Sequence, residues 1–213
     1  MSSQMSVRLV LLMFVVLASG CATQPYDYTA LNNSKPRSIL VMPPLNNTVE
    51  VIAPYTFLST ISQPLAEKGY YVFPVAMVDS FFKENGLPTT AEMNQAPLDK
   101  IREVFGADAV LYVEIGNWGQ EYQLLSSKTV VSSNWRLVDA KDGTLLCDGT
   151  ASAVQSSSDG GGGLVGALVG AVVSQIASSM NDMTPELSKT ANVTVINNQS
   201  RGLLPGPYKP TRK

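Results

Sequence analysis

The sequence contains no histidine, and this absence removes much of the usual chemistry of enzymes. Histidine is the commonest general base with a pKa near neutrality, a member of most hydrolytic triads and a frequent zinc ligand. The acids, lysines and serines that remain stand in no persuasive catalytic motif. We therefore expect no enzyme, no catalytic residues, no cofactor and no metal site. A carboxylate-dependent hydrolase, with Glu114 as one candidate acid, is the minor alternative.

Cysteine is scarce, and positive charge is not in excess. The two cysteines are Cys21 and Cys147, and acylation of Cys21 would leave no pair for an intramolecular disulfide. We expect Cys147 to be a small buried strand residue and not a reactive thiol. Because 15 basic residues stand against 17 acidic ones, no extended positive surface forms, and nucleic acid is not expected as a partner.

The first residues of the chain have the pattern of a lipoprotein signal peptide. Arg8 precedes an uncharged apolar run from Leu9 to Ala18, and small residues follow up to Cys21. A cysteine at the cut distinguishes lipoprotein signals from other secretory signals. The run of about ten residues spans roughly 15 Å as a helix, about half of a bilayer's hydrocarbon core. We therefore predict removal of residues 1–20 and acylation of Cys21.

Acylation of Cys21 also predicts where the protein resides. Two or more acyl chains hold a protein firmly on a membrane, whereas a single chain binds reversibly. The residue after the cysteine is Ala22 and not an aspartate, which by the usual sorting rule sends such lipoproteins to the outer membrane. We expect a domain on the periplasmic face of that membrane, with the membrane itself as its first partner.

The first half of the mature chain alternates between strand and helix patterns. Ser38–Met42 is a continuous apolar run before Pro43, which is typical of a strand covered on both faces. A short strand follows at Tyr70–Phe73. Helical spacing predicts three helices with these inward-facing residues: Tyr55, Leu58, Ile61 and Leu65; Val75, Val78, Phe81 and Phe82; and Leu98, Ile101, Val104 and Phe105.

The second half of the domain has the pattern of an antiparallel meander. The segment 109–115 alternates, so that Val110, Tyr112 and Glu114 point to one face and Ala109, Leu111, Val113 and Ile115 point to the other. Strands at Thr129–Val138 and Leu145–Val154 flank an Asp-Gly turn that suits a hairpin. The prediction is an α/β domain with a mixed sheet and helices packed on it.

Three stretches of the chain resemble a known family. They are SILVMPP at 38–44, GADAVLY at 106–112 and LVDAKDGTL at 137–145. Their order and spacing resemble bacterial lipoproteins of unknown function whose periplasmic domain is similar to the TolB N-terminal domain and the CsgG core. The resemblance implies a TolB N-terminal-like fold and an envelope lipoprotein acting beside a CsgG-like lipoprotein in export or assembly. It implies no catalytic residues.

The segment from Gly160 to Asn181 carries no charge. Gly162, Gly166 and Gly170 recur every fourth position and would let another helix approach closely, so we predict an apolar helical segment with these glycines at an interface. Three readings stay open: packing within the domain or a subunit interface, contact with a membrane, and a true span. Its apolar core of about 14 residues reaches only ~21 Å, which disfavours the span.

These patterns predict the organisation of the chain. A helix starts at Thr184, with Leu187, Ala191 and Val195 inward. The predicted units are a signal peptide at 1–20, a lipidated tether at 21–36, the α/β domain at 37–158, the Gly-rich apolar segment with the C-terminal helix at 159–200, and an extended, solvated tail at 201–213.

The leading functional hypothesis is a non-enzymatic outer-membrane lipoprotein that forms homo-oligomers or docks other envelope lipoproteins. The alternative is a module that binds periplasmic glycan or peptidoglycan. Its candidate residues are Tyr112, Glu114, Trp118 and Trp135, with Tyr122 as a further aromatic, provided that the rings share one exposed face.

Overall fold

The protein forms an α/β domain around a mixed sheet. The structure, a computed structural model, describes residues 25–123, 126–157 and 182–210. The helices are α1 (Thr29–Ser34), α2 (Ala53–Glu67), α3 (Val75–Glu84), α4 (Thr90–Met93), α5 (Leu98–Phe105) and α6 (Thr184–Ile196). The strands are β1 (Ser38–Val41), β2 (Leu45–Asn46), β3 (Tyr71–Val72), β4 (Ala109–Gln123), β5 (Ser126–Asp139) and β6 (Leu145–Ser157). The predicted fold class is confirmed.

The described strands are ordered β3-β1-β4-β5-β6, and β2 also pairs with β4. β1 runs parallel to β3 and β4, whereas β4, β5 and β6 form an antiparallel meander. β1 has a neighbouring strand on each side and an apolar core on each face, so all four of its residues are buried. The prediction from its continuous apolar run is confirmed.

Two apolar cores lie on opposite faces of the sheet. The first contains Ile39 and Val41 of β1 and is covered by α2 and α6. The second contains Leu40 and Met42 and is covered by α3, α4 and α5. Leu187, Ala191 and Val195 of α6 face the first core as predicted, so α6 belongs to the same domain as the sheet.

Two residues predicted to face inward are exposed. Tyr55 of α2 is 52% exposed, because it lies about 200° around the helix from Phe57, which is buried in its place. Val104 of α5 is 53% exposed. It lies about 60° from Ile101 on the side away from Leu98 and Phe105, the two residues that pack toward the second core.

The domain extends beyond both predicted boundaries. In the predicted tether, Leu31 of α1 is buried in the first core, and Tyr26 and Tyr28 pack against it. The proline and asparagine content suggested an unstructured tether, but the aromatic and leucine side chains bury enough apolar surface to attach this segment. The tether therefore does not reach residue 36.

The predicted solvated tail is docked over most of its described length. Leu203 is buried, and the Tyr70 hydroxyl donates a hydrogen bond to the backbone oxygen of Leu204 (2.9 Å). The backbone N–H of Gly206 bonds to the oxygen of Lys68 (2.9 Å). A side chain at Gly69, which has φ +99°, would overlap the backbone of Lys209, so this glycine permits the close approach.

None of the described helices has the length and hydropathy that a membrane span requires. The predicted acylation site Cys21 and the predicted interface residues Gly162, Gly166 and Gly170 lie outside the described residues.

Candidate functional site

A cluster of three side chains attaches the N-terminal segment to the sheet. The Tyr26 hydroxyl donates to Asp148 Oδ1 (2.6 Å) and accepts from the backbone N–H of Asp148 (3.1 Å). Arg201 Nη2 donates to Asp148 Oδ2 (2.7 Å), and its guanidinium lies 4.9 Å from the centre of the Tyr26 ring. We call Tyr26, Asp148 and Arg201 the N-terminal clamp. It joins the start of the domain, strand β6 and the turn after α6.

Tyr28 extends the N-terminal clamp. Its hydroxyl donates to the backbone oxygen of Gly202 (2.5 Å), and its ring packs edge-on against Tyr26 with 4.8 Å between the centroids. The N-terminal segment is thus bound to the residues that follow α6 as well as to β6.

The protonation states of Tyr26 and Asp148 suit the hydrogen bonds of the N-terminal clamp. Burial raises the pKa of Tyr26, and its hydrogen bond to Asp148 adds to that effect, so the phenol stays protonated and remains a donor. Burial alone would raise the pKa of Asp148, but the hydrogen bonds from Arg201 and Tyr26 outweigh it and lower the pKa. Asp148 is therefore an ionised acceptor at neutral pH.

Cys147 lies beside the N-terminal clamp but is not a reactive thiol. It is fully buried in the first core, and burial raises its pKa to about 11. A thiol with this pKa is almost entirely protonated at neutral pH, and the thiolate is the nucleophile. The prediction of a small buried strand residue is confirmed.

A second feature is an exposed apolar loop between β2 and α2. The exposed fractions are 92% for Val49, 82% for Val51 and 55% for Ile52, and Tyr55 follows in the first turn of α2. We call these four residues the apolar loop. Single exposed apolar residues are normal on a protein surface, but four within seven positions form a patch.

Asn46 holds the apolar loop in shape. Its side-chain oxygen accepts from the backbone N–H (3.1 Å) and the hydroxyl (2.8 Å) of Thr48. Its amide nitrogen donates to the backbone oxygen of Glu50 (2.9 Å). These local polar contacts order the loop without burying its apolar side chains.

The apolar loop lies at the end of the domain where the chain leaves β6 and returns to α6. A side chain at Gly119 would contact the Glu50 side chain, and Gly119 lies in one row of the sheet with Val130 and Val154. β6 ends three residues later, at Ser157.

The packing of α6 on α2 brings the returning chain to the same end. Ser188 Oγ lies 2.7 Å from Thr60 Oγ1, and Lys68 Nζ donates to Asn197 Oδ1 at the other end. The two helices therefore run in the same direction. The first residues of α6 lie near the first turns of α2, beside the apolar loop.

The aromatic candidates for glycan binding do not share an exposed face. Trp118 and Trp135 are 8% and 4% exposed in the first core, and Tyr112 packs against the second core on the opposite face. A bulge between Ile115 and Asn117 returns Trp118 to the face that α2 and α6 cover. Glu114 is exposed and accepts a hydrogen bond from Asn47 Nδ2 (2.5 Å). The structure therefore does not support an exposed aromatic face built from these residues.

Sequence reasoning did not identify the N-terminal clamp. The signal was present, because two tyrosines within three residues are unusual in an unstructured tether and indicate attachment to a surface. Asp148 and Arg201 had no local pattern that linked them to Tyr26, since the three are joined only by the fold. Within the described parts of the chain, no group of three acids or cysteines is arranged to hold a metal ion.

Comparisons with known proteins give a consistent result. A family model described as "GNA1162-like: Putative lipoprotein GNA1162-like" matches residues 26–208. The protein named "Putative lipoprotein NMB1124/NMB1162" from Neisseria meningitidis serogroup B is 44% identical over 204 residues, which are 93% of this chain and 95% of that protein.

Solved structures are similar as well. The crystal structure of lipoprotein GNA1162 from Neisseria meningitidis matches with a TM-score of 0.55 and 43% identity, over 61% of this chain and 90% of that chain. A PelC dodecamer from Paraburkholderia phytofirmans matches with a TM-score of 0.46 and 12% identity, over 84% of this chain and 95% of that chain. The second likeness is too distant to inform function.

Proposed function

Because the chain belongs to the family of GNA1162-like lipoproteins, we propose that it is a non-enzymatic outer-membrane lipoprotein whose periplasmic domain associates with further copies of itself. In this role it acts beside a CsgG-like lipoprotein in the export or assembly of envelope components. The resemblance of the three sequence stretches to the TolB N-terminal and CsgG families supports that part of the proposal.

The N-terminal clamp supports a membrane-proximal position for the domain. Cys21 carries the acyl chains in this proposal, and Tyr26 is five residues further along the chain. Five residues span at most about 18 Å even when fully extended. The edge of the domain at Asp148 is therefore held close to the membrane surface. Short reach favours partners that are themselves membrane-bound.

The observation that carries self-association is the open edge of β6. No further strand pairs with β6 in the ranges that the structure describes, and the N-terminal clamp bonds to this strand at Asp148. Beyond that point, Gly149–Ser157 contains no charge and no proline. Proteins usually protect long strand edges with charges, prolines or bulges, and an unprotected edge is suited to pairing with another strand.

Charged residues on the open edge provide the test. Ser152 and Val154 are exposed on β6, so Ser152→Lys/Val154→Lys introduces two positive charges on this edge with little effect on the core. The matched control is Met77→Lys on α3, which replaces a 67% exposed apolar residue elsewhere on the surface. The native mass of the purified, acylated protein is measured in mild detergent by light scattering.

We expect the wild type and Met77→Lys to form a discrete complex larger than one chain, and the double-lysine variant to be a monomer. A wild-type monomer across the accessible concentration range would contradict self-association. A complex that persists in the double-lysine variant would exclude the β6 edge as its interface.

A further inference from the structure

The proposed function does not explain why the apolar loop exposes several large side chains to water. Asn46 orders the backbone around Val49, Val51 and Ile52, yet these three side chains are mostly exposed. Tyr55 is half exposed, with Lys83 Nζ lying 5.6 Å from the centre of its ring. Exposed apolar surface is unfavourable in water, and a contiguous patch of this kind usually has an occupant.

A symmetric contact between two apolar loops is too small to be that occupant. Two such loops facing each other would bring together only four residues from each copy, whereas a stable protein interface usually involves about 20 to 30 residues on each side. A second copy could cover the loop only if further surface took part in the contact.

The chain itself offers a better occupant. Residues 158–181 connect the end of β6 to the start of α6, and both of these points lie at the end of the domain that carries the apolar loop. Within this connection, residues 164–173 read LVGALVGAVV and contain no charged or polar side chain. These apolar side chains can leave water only by packing against other apolar surface.

Covalent connection favours contact within one chain. A segment that is tethered at both ends beside a binding surface experiences a high effective concentration, which a segment from another molecule does not reach at ordinary protein concentrations. We propose that the apolar loop is the docking site of this chain's own residues 164–173. The contact buries the side chains of Val49, Val51 and Ile52 against the aliphatic residues of that segment.

Disulfide trapping in the full-length acylated protein tests the proposal directly. One thiol is introduced by Val51→Cys and the other by Ala167→Cys or Ala171→Cys, and the purified protein is oxidised mildly in detergent. The remaining native thiol, Cys147, is buried with a pKa of about 11 and does not compete. The control pairs each alanine substitution with Met77→Cys on α3. Non-reducing gels and intact mass separate cross-links within one chain from those between chains.

We expect a cross-link within one chain for at least one of the two pairs with Val51→Cys, formed at least about tenfold faster than in the Met77→Cys controls. Cross-links only between chains would overturn the proposal in favour of a second copy. Equal rates in the test and control pairs would also overturn it.

Thiol labelling provides a second measurement. In the single variant Val51→Cys, we expect a water-soluble maleimide to react about tenfold more slowly than in the same variant with residues 164–173 replaced by a Gly/Ser linker of equal length. Equal rates in detergent would overturn the proposal. Protection that appears only after reconstitution into phosphatidylethanolamine/phosphatidylglycerol vesicles would assign the apolar loop to a lipid surface. These readouts do not depend on the mass of the complex, so this inference and the proposed function fail separately.

Discussion

The hydroxyl of Tyr26 and the residue Asp148 exchange two hydrogen bonds at the edge of β6, one to the carboxylate and one from the backbone N–H. One side chain thereby satisfies a strand-edge donor and a partly buried acid 122 positions away in sequence. The relationship explains why a segment that reads as a tether is part of the folded domain. A single substitution at either residue can therefore test how the N-terminal segment is attached.

Removing the Tyr26 hydroxyl should loosen the N-terminal segment. Tyr26→Phe keeps the ring against Tyr28 and Arg201 but leaves the Asp148 N–H without its partner at the strand edge. We expect a loss of about 1 to 2 kcal/mol in the local stability of this attachment, with little change in global unfolding. Hydrogen exchange of the amides in α1 and at Asp148 measures it.

The matched control is Tyr71→Phe, which removes a hydroxyl from an exposed tyrosine of β3. Exchange in α1 should be unchanged in this control. Unchanged exchange in Tyr26→Phe as well would mean that the hydroxyl contributes nothing to holding the segment.

Acid should release the N-terminal clamp. The pKa of Asp148 is lower in the folded protein than in the unfolded chain, so its contribution to stability is present above the unfolded pKa near 3.9 and is lost as the pH falls through the folded value. We expect α1 to exchange faster as the pH falls below about 4, after correction for intrinsic exchange rates.

The variant Asp148→Asn has no carboxylate to titrate and serves as the reference. Its attachment should be weaker at neutral pH and should change less over the acidic range. An identical pH dependence in the two proteins would assign the acid response to other groups.

Gly149 should be intolerant of any side chain. A Cβ atom at this position would lie 2.8 Å from Val195 Cγ2 and 2.9 Å from Trp135, where α6 packs on the sheet. We expect Gly149→Ala to destabilise the protein by about 1 to 3 kcal/mol through overpacking. Urea unfolding monitored by tryptophan fluorescence measures the change.

Gly116→Ala is the control for Gly149→Ala. The nearest atom to a Cβ at this strand position is Ser132 Oγ at 3.6 Å, an ordinary contact distance. We expect a change within about 0.5 kcal/mol. Equal costs for the two substitutions would show that backbone effects, and not the approach of α6, determine the result.

Cys147 should react only when the protein unfolds. Its burial and its pKa of about 11 predict no labelling by maleimide at pH 7.5 over hours, and complete labelling in denaturant. Mass spectrometry of the intact protein counts the added groups. Rapid labelling under native conditions would mean that β6 opens readily near the N-terminal clamp.

The sequence correctly predicted which side chains are buried in elements with a clear apolar pattern. β1 is apolar at every position and is buried on both faces, and α6 buries Leu187, Ala191 and Val195 as their spacing indicates. The errors arose where a small geometric offset decides exposure. Tyr55 and Trp118 are such cases, because the start of α2 and the bulge in β4 set which way each side chain points.

The site was harder to predict than the fold. Tyr26, Asp148 and Arg201 meet only because the sheet, α6 and the chain ends come together, and no residue pattern within any one of these segments encodes that meeting. The exposed valines of the apolar loop precede the predicted helix, and no prediction was made for them from the sequence. Asn46 orders the loop around them through short-range hydrogen bonds to Thr48 and Glu50, which no helix or strand periodicity indicates.

The bond from Tyr28 to Gly202 and the ion pair from Arg201 to Asp148 impose an order on the maturation of this lipoprotein. An exported chain emerges from its N-terminus, so Tyr26 and Tyr28 cross the membrane long before Arg201 and Gly202. The contacts of the N-terminal segment with Arg201 and Gly202 can therefore form only after these two residues have followed, whereas its contacts with Asp148 and the first core can form earlier.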